Sequence, residues 1–355
     1  MGRVIKEKIE DYRAIDRLSY SALKQFEKDR KKFKLIYVDK DPVAIKKDKE
    51  EKDKSDYIRM GNIVDVILTD RENFHDYFIE TSAEKPSGQM LILCDELFKI
   101  TISNTKDGVV QTSFEDRFEK AYESLKQING GKLRDSIEKF AENFEKLGKE
   151  YFNETIRSFG KTVITSEESV LAEKIVESLK NANGTKDVVN ADGLTKFPIL
   201  FQVGENLFKM EADKIIIDHS SKTIFPYDIK VSSFVEAFVW DSYLDKRYYI
   251  QAGLYKYGIE QWKKNTEFKD YSVENVGFIV ADQNNYYEPL LYKTSDDHYE
   301  QAWNGFMVGN KKYKGIIELL NSLNETIENN CWNISIDNFK KGGKIYVPSF
   351  KNLEE

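Results

Sequence analysis

The stretch "YDIKVSS" carries Asp228 and Lys230 two positions apart among strand-forming residues. Side chains at i and i+2 share one face of a strand. On a core face the two charges would be costly to bury without partners. On the wall of a cleft they could hold a metal ion and stabilise a charged oxygen in a reaction. Three further segments carry residues of the same kind. Asp213 stands in "MEADKIII" at the start of an apolar strand, Gln251 and Tyr255 lie one helical turn apart in "YYIQAGLYKYGI", and Asp65 follows Gly61 by four positions in "GNIVDVIL". Each has an ordinary reading as well. A lone aspartate can cap a turn, Asp-x-Lys can be an exposed ion pair, and Gln-x-x-x-Tyr can be a half-buried polar pair on one helix face.

The elements that would position these residues follow from periodicity. From about residue 196, "FPILFQVGENLFKMEADKIIIDHSSKTIFPYDIKVSS" reads as three strands, with turns at Gly204-Glu205-Asn206 and His219-Ser220-Ser221. A long helix is expected over 234–264. Two strands follow in "VENVGFIVADQ" and "YYEPLLYKT", then one late helix from "DDHYEQAW" to "GIIELLNSL". Upstream, Ser19 can cap a helix carrying Leu23, Phe26 and Phe33. The run "DKDPVAIKKDKEEKDKSD" reads as a solvated loop or frayed helix.

In the middle of the chain, Phe114, Phe118, Tyr122 and Leu125 form one helical stripe, and Leu133, Ile137, Phe140, Phe144 and Leu147 another, separated by Gly130-Gly131. Thr165 and Glu168 form a capping box for a third helix. Helices, a strand meander, then helix and strand again indicate an α/β fold with a helical addition. The expected division is 1–85 as N-terminal helices, 86–190 as a largely helical insertion, 191–300 as the core, and 301–355 as a C-terminal helix and tail.

The 355 residues are 40% apolar, enough to bury a sizeable core. Net charge is −7, from 54 basic and 61 acidic residues, which argues against a surface coated in positive charge but leaves room for a local basic groove. No apolar run reaches membrane-helix length, the first residues lack an apolar signal core, and Lys6 breaks the myristoylation pattern after Gly2. Cys94 and Cys331 are too few for a disulfide framework or a four-cysteine metal site. A reducing, cytoplasmic setting is expected, with no membrane partner.

Asp213, then Asp228-Ile229-Lys230 after a hairpin, then Gln251-x-x-x-Tyr255 on a helix, resembles the PD-(D/E)XK nucleases, specifically their RecB-like branch. The blocks "LSYSALKQFEKDRKKF", "MGNIVDVIL", "ITSEESVLAEKIVESL" and "VGFIVADQNNYYEPLLYKTSDD" extend the likeness to phage-type exodeoxyribonucleases of the exonuclease VIII group. The helical middle is unmatched. The resemblance implies a restriction-endonuclease-like core, a mixed central sheet flanked by helices. It implies Asp213 and Asp228 as ligands of Mg²⁺ (or Mn²⁺), the Ile229 carbonyl as an extra ligand, and Lys230 as the catalytic lysine. Gln251 and Tyr255 would help place DNA and organise the site.

Asp65 stands where many relatives have a histidine and would serve as a metal ligand, compensated by the metal or by Lys230. Gln202 stands about where another acid often precedes the hairpin, which leaves a second metal without its carboxylate. His75, His219 and His298 fall in no shared motif. The implied activity is a metal-dependent exonuclease on linear double-stranded DNA in phage or bacterial recombination or repair. An endonuclease on the same fold, or a nuclease-like binding module without catalysis, would carry much the same pattern. A recombinase or annealing partner and a homo-oligomer are compatible with the family.

Overall fold

Alternation of side chains governs the segment that carries the candidate residues. Strands β1 (Leu194–Val203), β2 (Asn206–Asp218) and β3 (Thr223–Ser232) form an antiparallel meander. The β1–β2 turn uses Gly204 at φ 58, a left-handed conformation that glycine adopts freely. Asp218 closes the β2–β3 turn, accepting hydrogen bonds from the Ser220 amide and from the Ser220 and Ser221 hydroxyls. β3 then pairs in parallel with β4 (Gly277–Asp282), and β4 in antiparallel with β5 (Leu290–Lys293), giving the order β5-β4-β3-β2-β1. The two-residue strand Ser272–Val273 joins the start of β3. All six residues of β4 are buried, as expected for a central strand covered on both faces. The fold is a mixed α/β sheet flanked by helices.

The computed structural model describes residue 12 and residues 15–344, except 54, 81, 82, 85 and 107. The stretch around Gly2 and the tail expected after 344 lie outside the described residues. The chain forms two compact units, one reaching to Thr69 and resuming at Ala172, the other Asp70–Leu171. The second overlaps the 86–190 segment expected as a helical insertion. Its helices Gly88–Ser103, Phe114–Ile128, Ile137–Leu147 and Lys149–Arg157 close around Leu93, Leu97, Phe118, Leu125, Phe140 and Phe144. Thr165 and Glu168 form the anticipated capping box, each side chain bonded to the other's amide. No helix among the described residues is long and apolar enough to cross a membrane.

In the first unit, α1 (Tyr20–Lys28) is capped by Ser19, whose hydroxyl accepts from the Ala22 amide. Met60, Ile63, Val64 and Ile67 are the buried residues of α2 (Asp56–Thr69). The parallel step from β3 to β4 needs a crossover, supplied by α3 (Tyr248–Lys263). One helix was expected over 234–264, but a π-helical turn at Val239–Leu244 precedes α3, and the chain breaks at Arg247, held at φ 61. The Arg247 guanidinium bonds Glu27 at 2.9 Å, which anchors that break to α1. The single late helix is also two, α4 (Asp296–Asn304) and α5 (Ile316–Glu328), separated by the hairpin Phe306–Val308/Lys311–Tyr313. Gly305 (φ 78) and Gly309 (φ 56) stop a helix there.

α3 lies close on the sheet because Gly258 has no side chain. A Cβ there would come within 2.8 Å of Met210 Sδ and 3.0 Å of Phe201. We expect Gly258→Val to destabilise the fold by about 1–3 kcal/mol through overpacking. Denaturant unfolding checks this, and an unchanged midpoint would mean that the helix can lift at no cost.

Candidate functional site

The β2–β3 ladder runs from Asp218↔Thr223 to Lys214↔Tyr227 and stops there. Beyond that point the strands splay. The Ile229 amide, left without a ladder carbonyl on β2, donates instead to Asp213 Oδ2 at 2.9 Å. The vacated edge of β2 is taken by the N-terminal segment, in which Leu18 bonds Leu207 O (2.9 Å) and the Lys209 amide (2.8 Å). This seats Ser19, Tyr20 and Ser21 opposite the splay. The cleft so formed, about 290 Å³, is lined by those three residues with Tyr12, Lys209, Met210, Glu211, Asp213, Asp228, Lys230, Gln251 and Tyr255.

Five of the residues singled out in the sequence therefore meet in one place. Asp228 is 1% exposed, and Lys230 Nζ lies 2.5 Å from its Oδ2. The Lys230 ammonium also sits over the Tyr248 ring, 4.6 Å from the centroid. Gln251, itself buried, donates from Nε2 to Asp228 Oδ1 at 2.6 Å. The Tyr255 hydroxyl donates to the Glu211 carbonyl at 3.1 Å. Both side chains of the Gln-x-x-x-Tyr helix are turned onto the site's own groups.

Asp65 joins the group through an intermediary. Compensation for this half-buried carboxylate was expected from a metal or from Lys230; it comes from Lys196, whose Nζ is 2.6 Å from Asp65 Oδ1 and 2.8 Å from Asp213 Oδ1. Glu211 Oε1 lies 4.0 Å from the same ammonium. Gln202 is remote from this function: it is exposed, and its amide donates to the Gly204 carbonyl in the β1–β2 turn. The additional acid is Glu211, on the same face of β2 as Asp213. That face was legible, since Lys209, Glu211 and Asp213 alternate in "KMEAD". Lys196 carried no comparable signal, because its role depends on cross-strand register. His219 bonds the Tyr271 hydroxyl and His298 the Ser295 hydroxyl, away from the cleft.

Burial and like charge separate the carboxylates. Desolvation, then the nearby Asp213, pushes Asp228 up to about 7 against the pull of Lys230. Asp65 rises to about 6, chiefly by desolvation, against the pull of Lys196. Asp213 is also desolvated, but Lys196, Lys230 and the Ile229 amide hold it below the ordinary carboxylate value. The buried Oε2 of Glu211 and Oε1 of Gln251 have no hydrogen-bond partner. A hard carboxylate oxygen with unmet valence, here Glu211 Oε2, suits Mg²⁺ or Mn²⁺. Among the described residues, however, no three His, Cys, Asp or Glu side chains converge on a point that could hold a metal ion. Asp65 and Asp213 converge on Lys196 instead, and Asp228 on Lys230.

No protein-family model matches the chain, and no curated protein matches it significantly. Among solved structures, a protein described as a "putative exonuclease" from Eubacterium rectale is similar, at 10% sequence identity over 98% of this chain and 96% of that one, with a TM-score of 0.39. An overlay this loose carries no inference about activity.

The raised carboxylates give a test that needs no substrate. A group whose folded pKa lies above its unfolded value of 3.8 takes up a proton on folding, so its stabilisation is full below that value and is lost as pH rises through the folded pKa. Asp65 and Asp228 act in this sense up to about 6 and about 7. Asp213 acts oppositely, but only below 3.8. In EDTA, the melting temperature should therefore fall between about pH 4 and about pH 7. Asp228→Asn should flatten that fall and melt about 2 °C or more above the wild type at the alkaline end. A parallel profile for the variant would mean that Asp228 ionises freely.

Proposed function

We propose that the protein is a metal-dependent deoxyribonuclease that hydrolyses phosphodiester bonds of linear DNA as an exonuclease. The observation that carries this reading is the convergence of Asp213, Asp228 and Lys230 on the cleft where β2 and β3 separate, with Gln251 fixing Asp228 from behind. Asp213, Asp228 and the Ile229 carbonyl would hold Mg²⁺ or Mn²⁺, with Asp65 joining them only where Lys196 no longer stands between it and Asp213. When bound, such an ion supplies an activated water and neutralises charge on the phosphoryl oxygens.

The chain's own groups do the rest. Lys230, fixed between Asp228 and the Tyr248 ring, presents an ammonium that can donate to a non-bridging oxygen as negative charge builds there. Gln251 keeps the Asp228 carboxylate in one rotamer, and Tyr255 ties α3 to the backbone of β2, so the acids are preorganised. The amide end of α1 and Lys209 add positive potential on the cleft wall, where a phosphate backbone would run.

One observation favours a second reading. Lys196 occupies the space between Asp65 and Asp213, as it would in a nuclease-like binding module that had replaced its metal with a permanent ammonium. Incubation of linear duplex DNA with Mg²⁺, beside an EDTA control, separates the two. Cleavage is expected with Mg²⁺ alone, while covalently closed circles are spared; nicking of closed circles would point to an endonuclease. Asp213→Asn and Asp228→Asn should each lower the cleavage rate at least about a hundredfold while remaining folded by circular dichroism. Full activity in either variant would overturn the assignment.

A further inference from the structure

We propose that Lys196 is a resident counter-ion that holds the acid cluster in a metal-free state, and that a divalent cation must expel it from between Asp65 and Asp213. This rests on the metal-dependent reading above and adds to it a step in metal loading.

The first ground is register. Thr195 pairs with Lys214 and Phe197 with Ala212, so Lys196 lies directly across from Asp213. It does so at φ 47, a left-handed conformation that an L-residue adopts only at a cost. An ordinary strand residue needs no such backbone, and the position is one where the ladder is interrupted beside the cluster.

The second ground is coordination. The Lys196 ammonium lies 2.6 Å from Asp65, 2.8 Å from Asp213 and 4.0 Å from Glu211. Anionic oxygens gathered around a single positive centre are the environment that a hard divalent cation also seeks. An ammonium and a divalent ion cannot both stay against Asp65 and Asp213, because two cations in contact repel strongly where water is scarce. One of them has to leave. The lysine is the mobile partner: its head sits on a flexible four-carbon stem, and the side chain is 17% exposed, so it has a route to water.

The third ground is what the cluster would do without it. Asp65 and Asp213 share the Lys196 ammonium, Glu211 lies 4.0 Å from it, all three are partly buried, and Lys230 is committed to the buried Asp228. Lys196 lets these acids fold before any metal arrives. Its charge then has effects of opposite sign on two measurable quantities: it stabilises the metal-free fold, and it weakens metal binding. A lysine with a purely structural role would support both.

Mn²⁺ titration by calorimetry or electron paramagnetic resonance, on wild type and Lys196→Met, reads these effects together. The variant should bind Mn²⁺ about tenfold or more tightly, since the competing charge is gone. In EDTA it should melt below the wild type. Equal or weaker Mn²⁺ binding would overturn the proposal. Reductive dimethylation of wild type, read by mass spectrometry, gives a second measurement that stands even if the variant fails to fold. Lys196 should be protected in EDTA and label several-fold faster at saturating Mn²⁺; unchanged labelling would overturn the proposal. If wild type binds Mn²⁺ and Asp228→Asn does not, yet Lys196→Met equals wild type, the counter-ion proposal fails while the nuclease reading stands. A wild type that binds no Mn²⁺ sinks both.

Discussion

The separation of β2 and β3 beyond Lys214↔Tyr227 is the constraint on which the site depends. A ladder that ends inside a protein leaves backbone donors without acceptors, and each must be satisfied some other way. Here the Asp213 side chain takes the Ile229 amide, so a structural necessity and an acidic group coincide in one residue. The gap between the strands admits the cleft. It also buries Asp228 almost completely, and a carboxylate so placed must be held by fixed partners. Gln251 and Lys230 are those partners, and their demands propagate outward. Gln251 has to arrive on a helix packed hard against the sheet, which the bare backbone of Gly258 permits. The break at Arg247 and its tie to Glu27 set where that helix begins.

Much of this was legible because it is local. Alternation located the three-strand meander and the shared face of Asp228 and Lys230, and a helical period put Gln251 and Tyr255 together. The Ser19 cap and the apolar face of Met60, Ile63, Val64 and Ile67 follow from short-range chemistry too. Boundaries were harder where a tertiary contact overrides propensity. The break at Arg247 before α3 is held by a bond to Glu27, 220 positions away. The hairpin inside the expected late helix rests on glycines whose positive φ is visible only once the chain is folded.

Cross-strand relations were the least legible. Lys196 is a lysine in an unremarkable strand until register sets it opposite Asp213, and Gln202, six positions further along the same strand, is carried to the far hairpin. Glu211 lies between these cases. Its alternation with Asp213 was readable, but its relevance depended on which face of β2 the cleft would occupy, and that is decided by where β3 departs.

Charge gives the site its direction of response. Four carboxylates, Asp65, Glu211, Asp213 and Asp228, face two ammoniums, Lys196 and Lys230, in partly buried surroundings that screen an imbalance less than open water does. The excess of acid is relieved in the protein alone by protons, which is why Asp228 and Asp65 are raised to about 7 and about 6 while Asp213, which feels both lysines and accepts from the Ile229 amide, is held below the ordinary carboxylate value. A proton is a poor substitute at neutral pH, where it is leaving Asp228. A divalent cation would supply the same relief with two fixed charges and no dependence on a proton that the solvent is removing. The pairing of one strongly ionised carboxylate with one poised near neutrality is thus a consequence of how the strands separate, and under the metal-dependent reading proposed above it would make cation uptake most favourable at and above the pH at which the unloaded site is least stable.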